Sequence, residues 1–284
     1  MDKKLIFLDI DGTLTVPGSN EPPASALEAI RLAQQAGHRV FLCSGRNYDM
    51  LRPLLGFGFD GAVASGGGYV FMGERVLYDC PMTEQQKDRA LRLFAEGGVL
   101  RTIEAKDASW CDEGMGEFLQ QVSGGNSELL RWREALEKDL GIRPMKEYDG
   151  RPIYKVVFMC AKAEQLAPAI RELEGEFYFL VQDLAGANCL NGELINRKFD
   201  KGSGIRQICE ALDCSVEDTI GFGDSMNDLE MIQTVGTGVC MANGSPNLKK
   251  QSDLVCPSVQ EDGLAWAFRE LGLVKSDKNG KSFS

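Results

Sequence analysis

Leu5-Ile6-Phe7-Leu8-Asp9-Ile10-Asp11-Gly12-Thr13 is the stretch that decides the fold. Four apolar residues in a row fit a parallel strand covered on both faces, which has no solvent side to fill with polar groups. Asp9 and Asp11 follow at once. Residues two apart on an extended backbone project from one face, so carboxylates at these positions are aimed into one place. The plainer alternative is a turn in which aspartates cap backbone amides ahead of Gly12. The position favours a site, because parallel sheets bind ligands beyond the carboxyl ends of their strands.

Outward from there the chain alternates. A helix starts near Pro23, carries Leu27, Ile30 and Ala33 on one stripe, and stops at Gly37. Arg39–Cys43 reads as a second strand, followed by Ser44-Gly45-Arg46. Asn47 caps a short helix that Pro53 kinks or ends. Residues 62–64 make a third strand, and Gly66-Gly67-Gly68 a flexible connection. At the far end Ile205, Ile208 and Leu212 form a helical stripe after Lys201, then residues 219–222 a strand. Leu229, Ile232 and Val235 mark a helix, 237–241 a strand and 263–271 a closing helix. Such alternation predicts an α/β fold with a doubly wound parallel sheet. The middle breaks the pattern, with helices expected at 84–96, 128–140 and 164–174 and strands at 154–160 and 177–181. It is read as a separate α+β module, residues 81–193, inserted into a core of 1–80 and 194–275. A polar tail, 276–284, is expected to fray.

Composition narrows the function. The 284 residues are 43% hydrophobic and 26% charged, a globular balance. A net charge of -11 repels nucleic acid and anionic membranes, so an anionic ligand must be held by local cations or a metal. Nine cysteines without a CxxC pair imply reduced thiols and a cytoplasmic location. The apolar run at the start is too short for a signal peptide, and no stretch approaches the ~20 apolar residues of a membrane span.

A second acidic group is Gly223-Asp224-Ser225-Met226-Asn227-Asp228, also past a strand. Ser225 and Asp228 have capping-box spacing, which would make Asp228 structural, but capping leaves Asp224 unexplained. Carboxylates converging on one sheet edge repel unless a cation sits among them. All-oxygen donors with room for water favour Mg²⁺. Lys201 opens a helix, where a cation works against the macrodipole unless an anion binds there, although most single lysines are solvated. Ser44-Gly45-Arg46 offers a hydroxyl and turn amides. Jointly these residues provide what phosphoryl transfer through an aspartyl intermediate needs. His38 is the only histidine, which excludes a histidine-based triad or zinc site. Trp110, Trp132 and Trp266 are assigned to packing. No GxSxG elbow, Walker loop or dinucleotide fingerprint occurs.

The stretches Phe7–Leu14, Ser44–Arg46, Lys201-Gly202 and 223–231 resemble the four ordered motifs of the haloacid dehalogenase superfamily. The set is similar to its Cof-type (subclass IIB) phosphatases, and Met241-Ala242-Asn243-Gly244, Asp253 and Glu261-Asp262-Gly263 are similar to that branch's carboxyl end. The resemblance implies a Rossmann-like core with an inserted α/β cap that closes over the site and selects the leaving group. It implies Asp9 as nucleophile and Mg²⁺ ligand, and Asp11 as general acid and base with its backbone carbonyl on the metal. Asp224 would complete the ligands. Ser44, Gly45, Arg46, Lys201 and Asn227 would bind phosphate, with Asp228 in support. The branch's Asn-Gly after the third strand is replaced by Gly66-Gly67.

The chemistry expected is Mg²⁺-dependent hydrolysis of small phosphomonoesters such as sugar phosphates by a monomer or weak homodimer, without nucleic acid or membrane partners. Asp9, near a reference pKa of ~3.9, is expected to be an anion at neutral pH, and Asp11 to have a raised pKa. A phosphomutase or phosphotransferase uses the same intermediate, and a non-catalytic phosphometabolite sensor is the reading of another class.

Overall fold

In a computed structural model of the chain, residues 3–121, 142–183 and 189–274 are described, the side chains of 119–121 and 182–183 excepted. The helix expected at 128–140, Trp132 and the tail lie outside these residues. The chain divides into two compact units, one of residues up to 45, 51–78 and from 200, the other of 46–50 and 79–199.

The first unit opens with β1 (Leu5–Leu8), α1 (Ala24–Gln35), β2 (Arg39–Cys43), α2 (Tyr48–Leu55, which runs on from the second unit), β3 (Gly61–Ala64), β4 (Tyr69–Met72) and β5 (Arg75–Asp79). The second contains α3 (Glu84–Glu96), β6 (Leu100–Ala105), β7 (Ser109–Cys111), α4 (Met115–Gln121), β8 (Ile142–Pro144), β9 (Ile153–Cys160), α5 (Ala167–Leu173), β10 (Phe177–Asp183) and β11 (Leu190–Asn196). The chain then completes the first with α6 (Lys201–Ala211), β12 (Thr219–Gly223), α7 (Leu229–Thr234), β13 (Thr237–Met241), α8 (Pro246–Lys249), β14 (Leu254–Cys256) and α9 (Gly263–Glu270).

The first sheet has eight strands in the order β14-β13-β12-β1-β2-β3-β4-β5. It is parallel from β14 to β3, and β4 runs antiparallel to β3. The central strands are buried along their whole length, which is why they read as continuous apolar runs. Phe7 stacks on Phe41 with ring centroids 5.3 Å apart, and Ile205 and Ile208 of α6 pack on that face. Register fixes the functional edge. Leu8 is level with Leu42 of β2 and Phe222 of β12, so Asp9, Ser44 and Asp224 all emerge beyond the same ends of adjacent strands.

Residues 66–68 are not a flexible connection. They close a tight turn that returns the chain as β4, with Ser65, Gly66 and Gly67 all at positive φ. Gly67 has φ +110°, and a Cβ there would lie 2.2 Å from Asp200 O. Only glycine fits that approach.

The second sheet runs β10-β11-β9-β6-β7-β8, antiparallel except for β7 with β8. Ile103, Val156, Phe158 and Leu194 face Phe94 of α3 and Leu173 of α5. The boundary expected at 193 falls inside β11, which pairs continuously with β9 and β10, and the units divide after Phe199 instead. The helix expected at 164–174 is shorter, because Pro168 lies in the first turn of α5 and a separate 3₁₀ turn precedes it. No helix among the described residues is long and apolar enough to cross a membrane.

His38, between α1 and β2, accepts a hydrogen bond on Nδ1 from Lys4 N at 3.0 Å, so its proton sits on Nε2, which is buried without a partner among the described residues. Burial above all, with a smaller contribution from the charge of Lys4, holds its pKa below the usual 6.5. Between that lowered value and 6.5 the unfolded chain binds the extra proton, so stability falls as pH drops through this window. His38→Asn, which keeps an acceptor but does not titrate, is expected to gain unfolding free energy relative to the wild type as pH falls from 7 to 5, a difference that leaves out the carboxyls titrating in the same range. Urea melts at a series of pH values check this.

Candidate active site

β1 ends at Leu8 and the chain turns immediately. Thr13 N and Thr15 N donate to Ile10 O at 3.2 and 2.9 Å, and Leu14 N to Asp9 O at 3.2 Å. Asp11 therefore stands on a turn and not on the extended backbone that strand alternation predicts, while Asp9 still continues the strand. Asp9 N extends the β1–β12 ladder by one bond, to Phe222 O at 2.9 Å, whereas Asp11 Oδ1 accepts from Gly18 N at 2.9 Å. Gly12 has φ +90°, and a Cβ on it would lie 2.3 Å from Asp224 Oδ2. Glycine at this position lets the turn after β1 meet the loop after β12.

Lys201 is the first residue of α6, capped by Asp200, whose carboxylate accepts from Ser203 N at 2.6 Å. It is no surface lysine. Its side chain is 3% exposed, and Nζ donates to Asp9 Oδ1 at 2.6 Å and to Asp228 Oδ1. Asp228 is fully buried and accepts on Oδ2 from Asp224 N at 3.0 Å and Ser225 N at 3.1 Å. One side chain thus ties Lys201 to the loop that carries Asp224.

Oxygens of Asp9, Asp224 and Asp228 lie within 4.8 Å of one another. Burial, followed by the charge of Asp228, pushes the Asp9 carboxyl up to about 7, against the opposing pull of Lys201. Burial, followed by Asp9 and Asp228, pushes Asp224 up to about 8, and the charge of Asp11 adds to both. The expectation of an ordinary low pKa at Asp9 is corrected by this crowding. Burial alone would lower Lys201, but Asp228 and Asp9 outweigh it and hold the ammonium well above its usual value. Among the described residues, Asp224 Oδ1 is buried without a hydrogen-bond partner.

Ser44 is buried just past β2, its backbone bonded to Val63 O and Gly66 N at 2.8 and 3.0 Å, and Gly45 follows it. Arg46 belongs to the second unit, as does Asn47, which donates to Ala105 O at 2.9 Å and caps α2 through Met50 N. Asn227 is exposed and accepts from Ser225 Oγ at 2.6 Å. Sequence reasoning gave no role to Asn243, which follows β13 and donates to Gly12 O at 2.8 Å. Its signal was the same as that of Asp9 and Asp224: a polar residue just past an apolar strand.

The family model for haloacid dehalogenase-like hydrolases matches residues 6–268. YkrA of Bacillus subtilis, a phosphatase by name, is 32% identical over 276 residues, spanning 97% of this chain and all of that protein (100%). A solved protein of Geobacillus kaustophilus HTA426 matches with a TM-score of 0.80 at 26% identity, over 96% of this chain and 100% of that one. The subclass IIB sugar phosphatase BT4131 matches with a TM-score of 0.74 at 22% identity, over 96% and 100%. The chain belongs to the haloacid dehalogenase-like hydrolases. Its fold is shared with structural neighbours among the subclass IIB phosphatases.

The residues fit a divalent cation of the kind this family uses. The donors are all oxygen, burial and neighbouring carboxylates raise the pKa of two of the carboxyls, and Asp224 Oδ1 is buried with nothing to bond among the described residues. Asp228 has both oxygens engaged by Lys201 and the loop amides, which leaves Asp9 and Asp224 as the side chains to hold the ion.

Two aspartates four residues apart are therefore expected to respond oppositely. Asp228→Ala takes the acceptor from two loop amides and leaves Lys201 with Asp9 alone, and should cost about 1–3 kcal/mol. Asp224 has a folded-state pKa above its unfolded value of 3.8, so its ionisation opposes folding as pH rises through this range. Asp224→Asn is expected to raise the metal-free melting temperature at pH 8. Thermal and urea melts in a chelator check both signs.

Proposed function

We propose that this hydrolase is a Mg²⁺-dependent phosphatase of small phosphomonoesters, sugar phosphates among them, working through an aspartyl-phosphate on Asp9. The observation that carries this reading is the buried cluster in which Lys201 Nζ lies 2.6 Å from Asp9 Oδ1, with an Asp224 oxygen within 4.8 Å of an Asp9 oxygen. A binding protein has no need to bury such repulsion.

Asp9 and Asp224, with the backbone carbonyl of Asp11, would hold Mg²⁺. When bound, Mg²⁺ supplies positive charge that offsets the repulsion between a carboxylate and a negative ester. A carboxylate oxygen of Asp9 attacks phosphorus as the bond to the leaving oxygen breaks. The electron pair goes to that oxygen, which takes a proton from Asp11. Water then attacks phosphorus, Asp11 takes its proton, and the bond to Asp9 breaks to free inorganic phosphate. Lys201 holds Asp9 in position and stabilises charge on the phosphoryl group. Ser44 and Asn227, at the same sheet edge, bind phosphoryl oxygens.

The test is inorganic phosphate release from a panel of phosphate esters with Mg²⁺ and with a chelator. Hydrolysis of at least one ester, lost on chelation, is expected. Asp9→Asn should lower kcat at least about 10⁴-fold, as removal of a nucleophile does elsewhere. No turnover of any ester by the wild type, or near-normal turnover by Asp9→Asn, would overturn the proposal. Phosphate transfer to added sugars in place of release would identify a transferase.

A further inference from the structure

Asn243 belongs to none of the steps above, yet its amide joins three separate segments. Nδ2 donates to Gly12 O at 2.8 Å and stands 3.5 Å from Asp224 Oδ2, while Oδ1 accepts from Val259 N at 3.2 Å. The Val259 N–H can face only the amide oxygen, so the NH₂ end must point at the two acidic loops. The backbone around it is packed as tightly. Ser245 N donates to Asp224 O at 2.7 Å, and a Cβ on Gly244 would lie 2.8 Å from the same carbonyl. The loop after β13 is thus pressed against the loop after β12, and Asn243 reaches across to the turn after β1.

An amide suits this place chemically. It offers donors to two oxygens without adding charge. A lysine here would neutralise Asp224 and compete with a cation, and an aspartate would add to a cluster that already carries Asp9, Asp224 and Asp228.

We propose that Asn243 is a positioning residue that fixes the spacing between the Asp9–Gly12 turn and the Asp224 carboxylate, and so sets the affinity for the divalent cation. This rests on the reading of the site as a Mg²⁺ site. Asn243 is exposed, so its loss leaves no cavity and costs folding only the two hydrogen bonds it makes, while its larger effect falls on metal affinity.

The experiment is a calorimetric Mg²⁺ titration of the wild type, Asn243→Ala and Val259→Pro. Val259 opens a 3₁₀ turn after Ser258 at φ −67° and ψ 166°, a setting that admits proline while removing the N–H that pins the amide. Outer-shell partners of metal ligands typically contribute 10–100-fold in affinity, so Asn243→Ala should weaken Mg²⁺ binding about tenfold or more. Val259→Pro should weaken it less, in the same direction. The Mg²⁺ concentration for half-maximal hydrolysis should rise in parallel, kcat at saturating Mg²⁺ should recover, and the metal-free melting temperature of Asn243→Ala should fall only by what two exposed hydrogen bonds contribute. Unchanged Mg²⁺ affinity in Asn243→Ala overturns the inference, as does a kcat that stays low at saturation. A wild type that binds no Mg²⁺ overturns the metal reading itself, and this inference with it, which is a different result from a variant that matches a binding wild type.

Discussion

Among the described residues, three carboxylates share a buried pocket of charge with a single ammonium, and the rest of the first unit is arranged around that imbalance. Two like charges about 4 Å apart repel by about 4 kcal/mol at an effective dielectric of 20, and burial adds to the penalty. Lys201 can serve Asp9 and Asp228 but does not reach all three. The residue of uncompensated charge shows in the raised pKa values of Asp9 and Asp224. Such a cluster persists only if the backbone that carries it is over-determined elsewhere. The parallel strands provide this, since β1, β2 and β12 are buried on both faces and locked in register, with the acids on the turns beyond them.

Much of this was legible in the residues because it depends on local pattern. An apolar run followed by an acid marks β1 and β12, and the order of the motifs brought Lys201 to the same edge. What was not legible depends on partners remote in sequence. Asp9 and Asp11 read as neighbours on a strand face, but the carbonyl of Ile10 takes two amide donors and turns the chain. The pKa of Asp9 could not be foreseen from its type, since it follows from burial and from Asp228, more than two hundred residues away in the sequence. Gly66-Gly67 looked like slack. The approach of Gly67 to Asp200 O instead makes glycine a packing requirement.

The second unit shows the same limit in another form. β11, Leu-Asn-Gly-Glu-Leu-Ile-Asn, has too few apolar residues to announce a strand, and its identity comes from pairing with β9 and β10 on either side. Lys155 interrupts an otherwise apolar β9 and is 1% exposed, a poor place for an ammonium. Register explains it. Lys155 is level with Glu104 of β6, and Glu193 of β11 lies two residues along the same face, with Lys155 Nζ 3.3 and 2.5 Å from their carboxylates. Its partners come from the two adjacent strands, and no window of sequence contains them all.

Asp224 and Asp228 make the general point most sharply, because they sit on one loop and differ only in what surrounds them. Capping-box spacing marks Asp228 as structural, and the structure bears this out in part: its Oδ2 does satisfy the amides that open the turn. Its Oδ1 does more, by holding Lys201 against the acidic edge. Asp228 therefore has a full set of partners and stabilises the loop whether or not an ion is present. Asp224 has the same carboxyl group and nearly the same burial of its outer oxygen, but Oδ1 meets no donor. A carboxylate in that condition costs free energy until a cation arrives. That is the property the proposed metal site would require: the cost of assembling it falls on one carboxylate, while a neighbour four residues on keeps the loop folded in the meantime.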